Sequence, residues 1–323
     1  MTRLLVTLLA AVLTATTVLA QFSYDNPTYF PSACKKQGQI AVIYAEGPSK
    51  YTSLIYQNLV AAGLPAANMS FFPVTTYLKD VTSNVPLSQV GKAGAFIGMR
   101  WTTQQKLNSL SAAQIATQLE SDCTQIMTYT GKAPKYIFLP RDQVDETSYN
   151  AVKAQGYVPV AYNLDSLDYT FNGTDNATCI NGVQTAYIAT LGQLTAGSAY
   201  WIALQRDLIQ CTVDSAATVY TTIKNYGYTW VDIGTCLGDT SPYKTSCTAS
   251  GASAPPPASA AASSGASATK APSASPSATT AGGAAAATGT AAAKPGAAAP
   301  ARFSWSVYAT LAIAVIIAAV VRL

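Results

Sequence analysis

The sequence predicts an α/β fold in which parallel strands alternate with crossover helices and close toward a (β/α) barrel. Three observations lead there. Strand-length apolar runs alternate with segments of helical period, the alternation repeats often enough to close a sheet on itself, and about 230 residues of mixed composition are available for one large domain.

In chain order, Gln39–Tyr44 is a short apolar strand and Ser49–Ala62 has helical spacing. Phe71–Phe72 and Ala95–Ile97 are further strands. Ala112–Tyr129 is an amphipathic helix, because Ser111 can accept from the free amides of its first turn and Ile115, Leu119 and Ile126 share one face. Lys135–Leu139 follows as a strand, Glu146–Gln155 as a helix stopped at Gly156, and Val158–Asn163 as a strand. Ala199–Leu204 is a strand, Ala216–Tyr226 a helix stopped at Gly227, and Thr229–Ile233 the last strand.

The flanks have other compositions. Arg3, the apolar run Leu4–Leu19 and the small Ala20 have the order of a secretory signal, so residues 1–20 are expected to be removed and Gln21 to begin the mature chain. Residues 248–302 consist almost wholly of Ala, Ser, Thr, Gly and Pro, which cannot bury enough apolar surface to offset the entropy of ordering them; they are expected to form a disordered, O-glycosylated stalk. Residues 303–323 are apolar up to Arg322 and leave almost no chain for a cytoplasmic tail. They fit a glycosylphosphatidylinositol attachment signal, with Gly289 or one of Ala291–Ala293 as the attachment residue, or a single transmembrane helix. Both place the protein on the outer face of a membrane.

Five of the 19 basic residues lie outside residues 21–250, leaving 14 against all 15 acidic residues, a net charge of −1. With no clustered basic face to release counterions, a nucleic-acid partner is excluded. The six cysteines, Cys34, Cys123, Cys179, Cys211, Cys236 and Cys247, all fall at 21–247, and in an exported chain they are disulfide candidates in any of 15 pairings. There is no C-x-x-C pair for a zinc cluster. Asn68, Asn172 and Asn176 head N-glycosylation sequons.

The chain contains no histidine, which excludes Ser-His-Asp and Cys-His catalysis, and no glycine loop of a nucleotide-binding type. The ordered segments Ile40-Ala41-Val42-Ile43-Tyr44-Ala45-Glu46-Gly47-Pro48, Thr130-Gly131-Lys132-Ala133-Pro134, Gly156-Tyr157, Tyr162-Asn163-Leu164-Asp165-Ser166-Leu167-Asp168-Tyr169 and Cys236-Leu237-Gly238-Asp239 resemble the polysaccharide deacetylases of the NodB-homology type, the fungal chitin deacetylases among them. The resemblance runs from about Gln37 to Asp239 and makes 21–247 a polysaccharide-deacetylase-like domain. It implies a distorted (β/α) barrel with a sugar groove at the C-terminal ends of the strands.

The family's chemistry is where this chain departs. The base and metal-ligand Asp of the family's first motif correspond to Ala45 and Glu46, its two metal-binding His to Arg100 and Gln104, its orienting Arg to Phe138, and its acid His to Gln205. Only the D-x-x-D-aromatic stretch survives, as Asp165, Asp168 and Tyr169. General acid–base catalysis contributes about 10²–10⁴-fold, and neither group is left to supply it. The sequence therefore predicts no catalytic residue, no metal and no cofactor, a zinc ion being expected only if an active deacetylase with rearranged ligands were retained. A glycosidase using Glu46 with Asp165 or Asp168 is a further arrangement. The expectation is a cell-surface protein that binds chitin, chitosan or another wall glycan through Tyr44, Trp101, Asp165, Asp168, Tyr169 and Trp201. Its alternatives are an active hydrolase of N-acetyl bonds and a purely structural wall glycoprotein.

Overall fold

The structure, a computed structural model, describes residues 22–101 and 105–248. The expected signal, stalk and anchor segments from residue 249 on, Gly289 and Gln104 lie outside the described residues. Among the described residues no helix is long and apolar enough to cross a membrane.

The central strand is β1 (Gln39–Ala45), Gln-Ile-Ala-Val-Ile-Tyr-Ala, covered on both faces as a strand of a parallel sheet must be. Its neighbours are all parallel: β2 (Ser70–Phe72), β9 (Trp201–Arg206) and, beside its first residues, β10 (Thr229–Trp230). Beyond β2 lies β3 (Phe96–Ile97), and beyond β9 lies β8 (Leu164–Asp165). A second parallel sheet holds β4 (Met99–Arg100), β6 (Tyr136–Phe138) and β7 (Val158–Val160). The short β5 (Ala133–Pro134) pairs antiparallel with β11 (Tyr243–Lys244).

The two sheets are arcs of one barrel-like wall. Gly98 separates β3 from β4, and residues 161–163 separate β7 from β8, so the ladder breaks at two places while the strand order runs around. At Gly98 a side chain would strike the Phe72 ring at 2.4 Å, which is why the wall turns on a glycine there. Strand parity then sorts the core. Ala41, Ile43, Ala45, Phe72, Phe96, Tyr136, Phe138, Val160, Ile202 and Leu204 point into a shared interior drawn from both sheets. Ile40, Val42, Tyr44, Phe71, Ile97, Met99, Ile137, Leu164 and Ala203 point outward into the layer under the helices.

The covering helices are α1 (Lys50–Ala61), α2 (Val81–Lys92), α3 (Ala112–Thr130), α4 (Glu146–Ala154), α5 (Asn176–Leu191) and α6 (Gln210–Asn225), with a short α7 (Ile233–Cys236) after β10. In α3 the Ser111 side chain accepts from the Gln114 amide while Gln114 returns a bond to the Ser111 amide, and Gly131 in the left-handed region ends the helix. The six cysteines form Cys34–Cys236, Cys123–Cys247 and Cys179–Cys211.

Candidate functional site

The C-terminal ends of the inner strands bring together the last inward-facing side chains: Arg100 from β4, Phe138 from β6, Asp165 from β8 and Arg206 from β9, around Glu46 just past β1. Arg206 is the hub. Its Nη1 lies 2.8 Å from Asp168 Oδ1 and 3.3 Å from Asp165 Oδ1, and its Nε lies 3.7 Å from Glu46 Oε1. The Arg206 amide also donates to Asp168 Oδ2 at 2.6 Å. Burial, which disfavours the guanidinium, is outweighed by Asp168 and Asp165, and the balance holds Arg206 protonated well above its ordinary range. Arg100 approaches Glu46 from the other side, Nη1 to Oε1 at 3.3 Å, with its guanidinium 5.3 Å from the Phe138 ring centre. Glu46 is thus clamped between two cations, on a residue whose φ of 85° is a left-handed conformation that a non-glycine side chain adopts only at a cost.

Asp165 and Asp168 organise the turn after β8. Asp165 accepts from the Leu167 amide at 3.0 Å, and Asp168, fully buried, accepts from the Tyr169 amide at 2.9 Å and Thr212 Oγ1 at 2.6 Å. Tyr169 remains 45% exposed, with the Arg206 guanidinium 4.3 Å from its ring centre.

A fourth carboxylate supports the site from behind. Asp207 accepts from the Gly47 amide at 2.6 Å and from Thr52 Oγ1 at 2.7 Å, tying the loop after β1 to the end of β9 and the start of α1. A side chain at position 47 would fall 2.2 Å from that carboxylate, so the close approach requires glycine. Burial pushes Asp207 up to about 6, against the opposing bonds from Thr52 and Gly47. A folded-state value above the unfolded one means the folded protein holds a proton between about pH 4 and 6 that the unfolded chain releases, so this contribution is favourable below pH 4 and is lost as pH rises through 6. The urea midpoint of the wild type is expected to fall by the equivalent of about 2–3 kcal/mol across that window, and Asp207→Asn to flatten the profile there. An unchanged slope in the variant would remove Asp207 as its origin.

Three of the aromatic candidates do not face the groove. Tyr44 and Trp101 have outward parity on or beside β1 and β4, and both are buried under the helices, Tyr44 completely and Trp101 to 4% exposure. Trp201 opens β9, opposite Ile40 at the start of β1, and so lies at the far end of the strands from Glu46. Of the ligand candidates, Asp165, Asp168 and Tyr169 are brought together with Glu46, Arg100 and Phe138. Gln205 also has outward parity, opposite Tyr44; it is fully buried with neither amide atom hydrogen-bonded. Arg206, opposite Ala45, takes the inward place. Arg206 and Asp207 are the site residues that sequence reasoning passed over, and the signal was the two-residue period: counting inward from Ile202 and Leu204 reaches Arg206.

Asn172 and Asn176 are exposed, whereas the Asn68 side-chain amide is half-buried and donates to the Trp230 carbonyl at 2.9 Å. A depression of about 360 Å³ lies at the start of α3, lined by Gln105, Leu110, Gln114 and Gln118 among others. It contains no ionisable group, and the charged strand ends are the better candidate for chemistry or recognition.

A parallel α/β wall with polar groups gathered at the C-terminal strand ends is where (β/α)-barrel proteins of many chemistries place their sites. The chain is similar in sequence and fold to the polysaccharide deacetylases of the NodB-homology, chitin-deacetylase-like type. The family model for polysaccharide deacetylase matches residues 32–160. A chitin deacetylase of a Pestalotiopsis species is 26% identical over 235 residues, covering 72% of this chain and 75% of that protein. One from Colletotrichum lindemuthianum is 26% identical over 215 residues, covering 64% and 82%. The solved chitin deacetylase structure from the latter organism superposes with a TM-score of 0.58 at 24% identity, over 66% of this chain and 94% of that one.

The zinc ion that family resemblance implies does not fit the residues present. Of the described family ligand positions, one is Glu46 and another is Arg100, and the guanidiniums of Arg100 and Arg206 already take the Glu46 carboxylate. Among the described residues no three His, Cys, Asp or Glu side chains are grouped to hold a metal. A cation placed there would meet two fixed positive charges.

Proposed function

We propose that this is an exported member of the polysaccharide deacetylase family that has given up deacetylation and binds a wall glycan of the chitin or chitosan type at the cell surface. The observation that carries the reading is the Arg100–Glu46–Arg206–Asp165 cluster. It puts ion-paired groups at two of the family's metal-ligand positions, Glu46 and Arg100, while the base position is the methyl of Ala45; these groups still offer donors and acceptors to sugar hydroxyls, beside the exposed Tyr169. Aromatic faces suit the C–H face of a pyranose, and charge-assisted hydrogen bonds orient it. The six paired cysteines support an oxidising, extracellular location, and attachment through the C-terminal segment is part of the same proposal.

The test is retention of the mature chain on insoluble chitin, chitosan and β-glucan beside Arg100→Ala. Selective retention that the variant loses about tenfold, corresponding to about 1.4 kcal/mol of binding, supports the reading. Release of acetate from N-acetylated sugar oligomers in the presence of zinc would establish an active deacetylase instead. No retention on any polymer would point to a structural glycoprotein.

A further inference from the structure

The turn after β8 carries an exposed ring and a glycosylation sequon side by side. Residues Asp168–Phe171 form a 3-10 turn closed by Asn172, whose backbone amide lies 3.5 Å from the Tyr169 carbonyl. Thr174 then donates to the Phe171 carbonyl from its amide at 3.1 Å and from its hydroxyl at 2.7 Å. Gly173 between them has φ of 87°, with open space where a side chain would project. The segment Tyr169-Thr170-Phe171-Asn172-Gly173-Thr174 therefore sets an aromatic residue three places before the sequon asparagine across a tight turn, a separation under about 7 Å between α-carbons. Asn172, Gly173 and Thr174 are all exposed. Arg206 lies against the Tyr169 ring at 4.3 Å, yet the residue keeps 45% of its surface open.

We propose that Asn172 carries an N-linked glycan whose first N-acetylglucosamine lies on the open face of Tyr169. The ring face is negative and apolar, and the axial C–H bonds of the sugar present the complementary surface. Covalent attachment at this spacing makes the contact intramolecular, so it incurs little of the entropic cost of association. The other two sequons lack the arrangement: three places before Asn176 stands Gly173, and before Asn68 stands Pro65. The protein's own sugar and an external glycan then compete for the Tyr169 ring, so where Asn172 carries its glycan the wall-glycan reading draws on Glu46, Arg100 and Asp165 instead of on stacking. The inference rests on the export part of the proposed function and not on the glycan-binding part.

The full chain is produced in a glycosylating eukaryotic host, its sequons are mapped by mass spectrometry, and thermal midpoints are compared in a cycle. The arms are the intact glycan, the glycan trimmed by endoglycosidase to one N-acetylglucosamine, and Thr174→Ala or Asn172→Gln without it, each with Tyr169 and with Tyr169→Leu. With Tyr169 present, loss of the glycan is expected to lower the midpoint by about 2–4 °C, and a single retained sugar to preserve it. In Tyr169→Leu the loss is expected to have no effect, and Asn176→Gln to behave alike in both backgrounds. Equal shifts in both backgrounds overturn the proposal, as does a bare Asn172 beside a modified Asn176. No modification at any sequon overturns it together with the export reading, while failure to bind wall polymers leaves this coupling intact and defeats only the glycan-binding reading.

Discussion

Replacing Cys34 and Cys236 together by alanine is expected to lower the stability of the oxidised protein by about 4–5 kcal/mol. The bond closes a loop of 202 residues, nearly the whole folded domain, and chain entropy released on unfolding grows with loop length. Its two ends are also well buried, and the neighbouring Lys35 amide donates to the Cys236 carbonyl at 2.8 Å, so the native geometry is supported without the crosslink. Alanine replacement of Cys179 and Cys211, separated by only 32 residues, is expected to cost less, about 3–4 kcal/mol. Urea unfolding of the two variants beside the wild type measures both. A loss below about 1 kcal/mol for the long-range pair would mean that the reduced chain's unfolded state is already constrained.

The second large effect is expected from Arg206→Ala. It leaves the Asp168 carboxylate fully buried without its counter-charge, a situation that costs about 3–5 kcal/mol. Asp168 retains donors from Thr212 Oγ1, the Tyr169 amide and the backbone amide of residue 206, which places the expected loss near the lower end, about 3 kcal/mol. Adding Asp168→Asn should recover part of that loss because a neutral amide needs no counter-ion, and the non-additivity of the pair in a double-mutant cycle is the readout. If Arg206→Ala alone cost less than about 1 kcal/mol, the cluster would be a solvated surface feature.

The legible elements were those in which local signals agreed with the tertiary result. The Ser111 cap and the Ile115, Leu119 and Ile126 face place α3 within a residue of where it lies. Two helices carried no such agreement. α2 contains Pro86 and Gly91, poor helix formers held in place by packing, and α5 mixes apolar residues around its circumference, so that its buried row of Cys179, Val183, Tyr187 and Leu191 stands out only in three dimensions. At the site, the polar run Gln205-Arg206-Asp207 reads as the end of a strand at Leu204, yet β9 continues to Arg206 because the carboxylates of Asp165 and Asp168 receive the guanidinium. The same hidden parity turned Tyr44 and Trp101 from groove walls into core. The loss of every histidine and the arginine at position 100 were plain in the sequence; that a second guanidinium, from Arg206, enters the same centre required the register of β1 against β9.

The Cys123–Cys247 bond gives the domain a particular mechanical character. Cys247 sits at the very end of the described chain, three residues past the short pairing of β11 with β5, while Cys123 lies in the middle of α3. Tension applied through the residues that follow 248 would otherwise peel away β11, which is held by only a two-residue ladder. With the bond formed, the load bypasses that ladder and enters a nineteen-residue helix whose Ile115, Leu119, Cys123 and Ile126 are buried in the core.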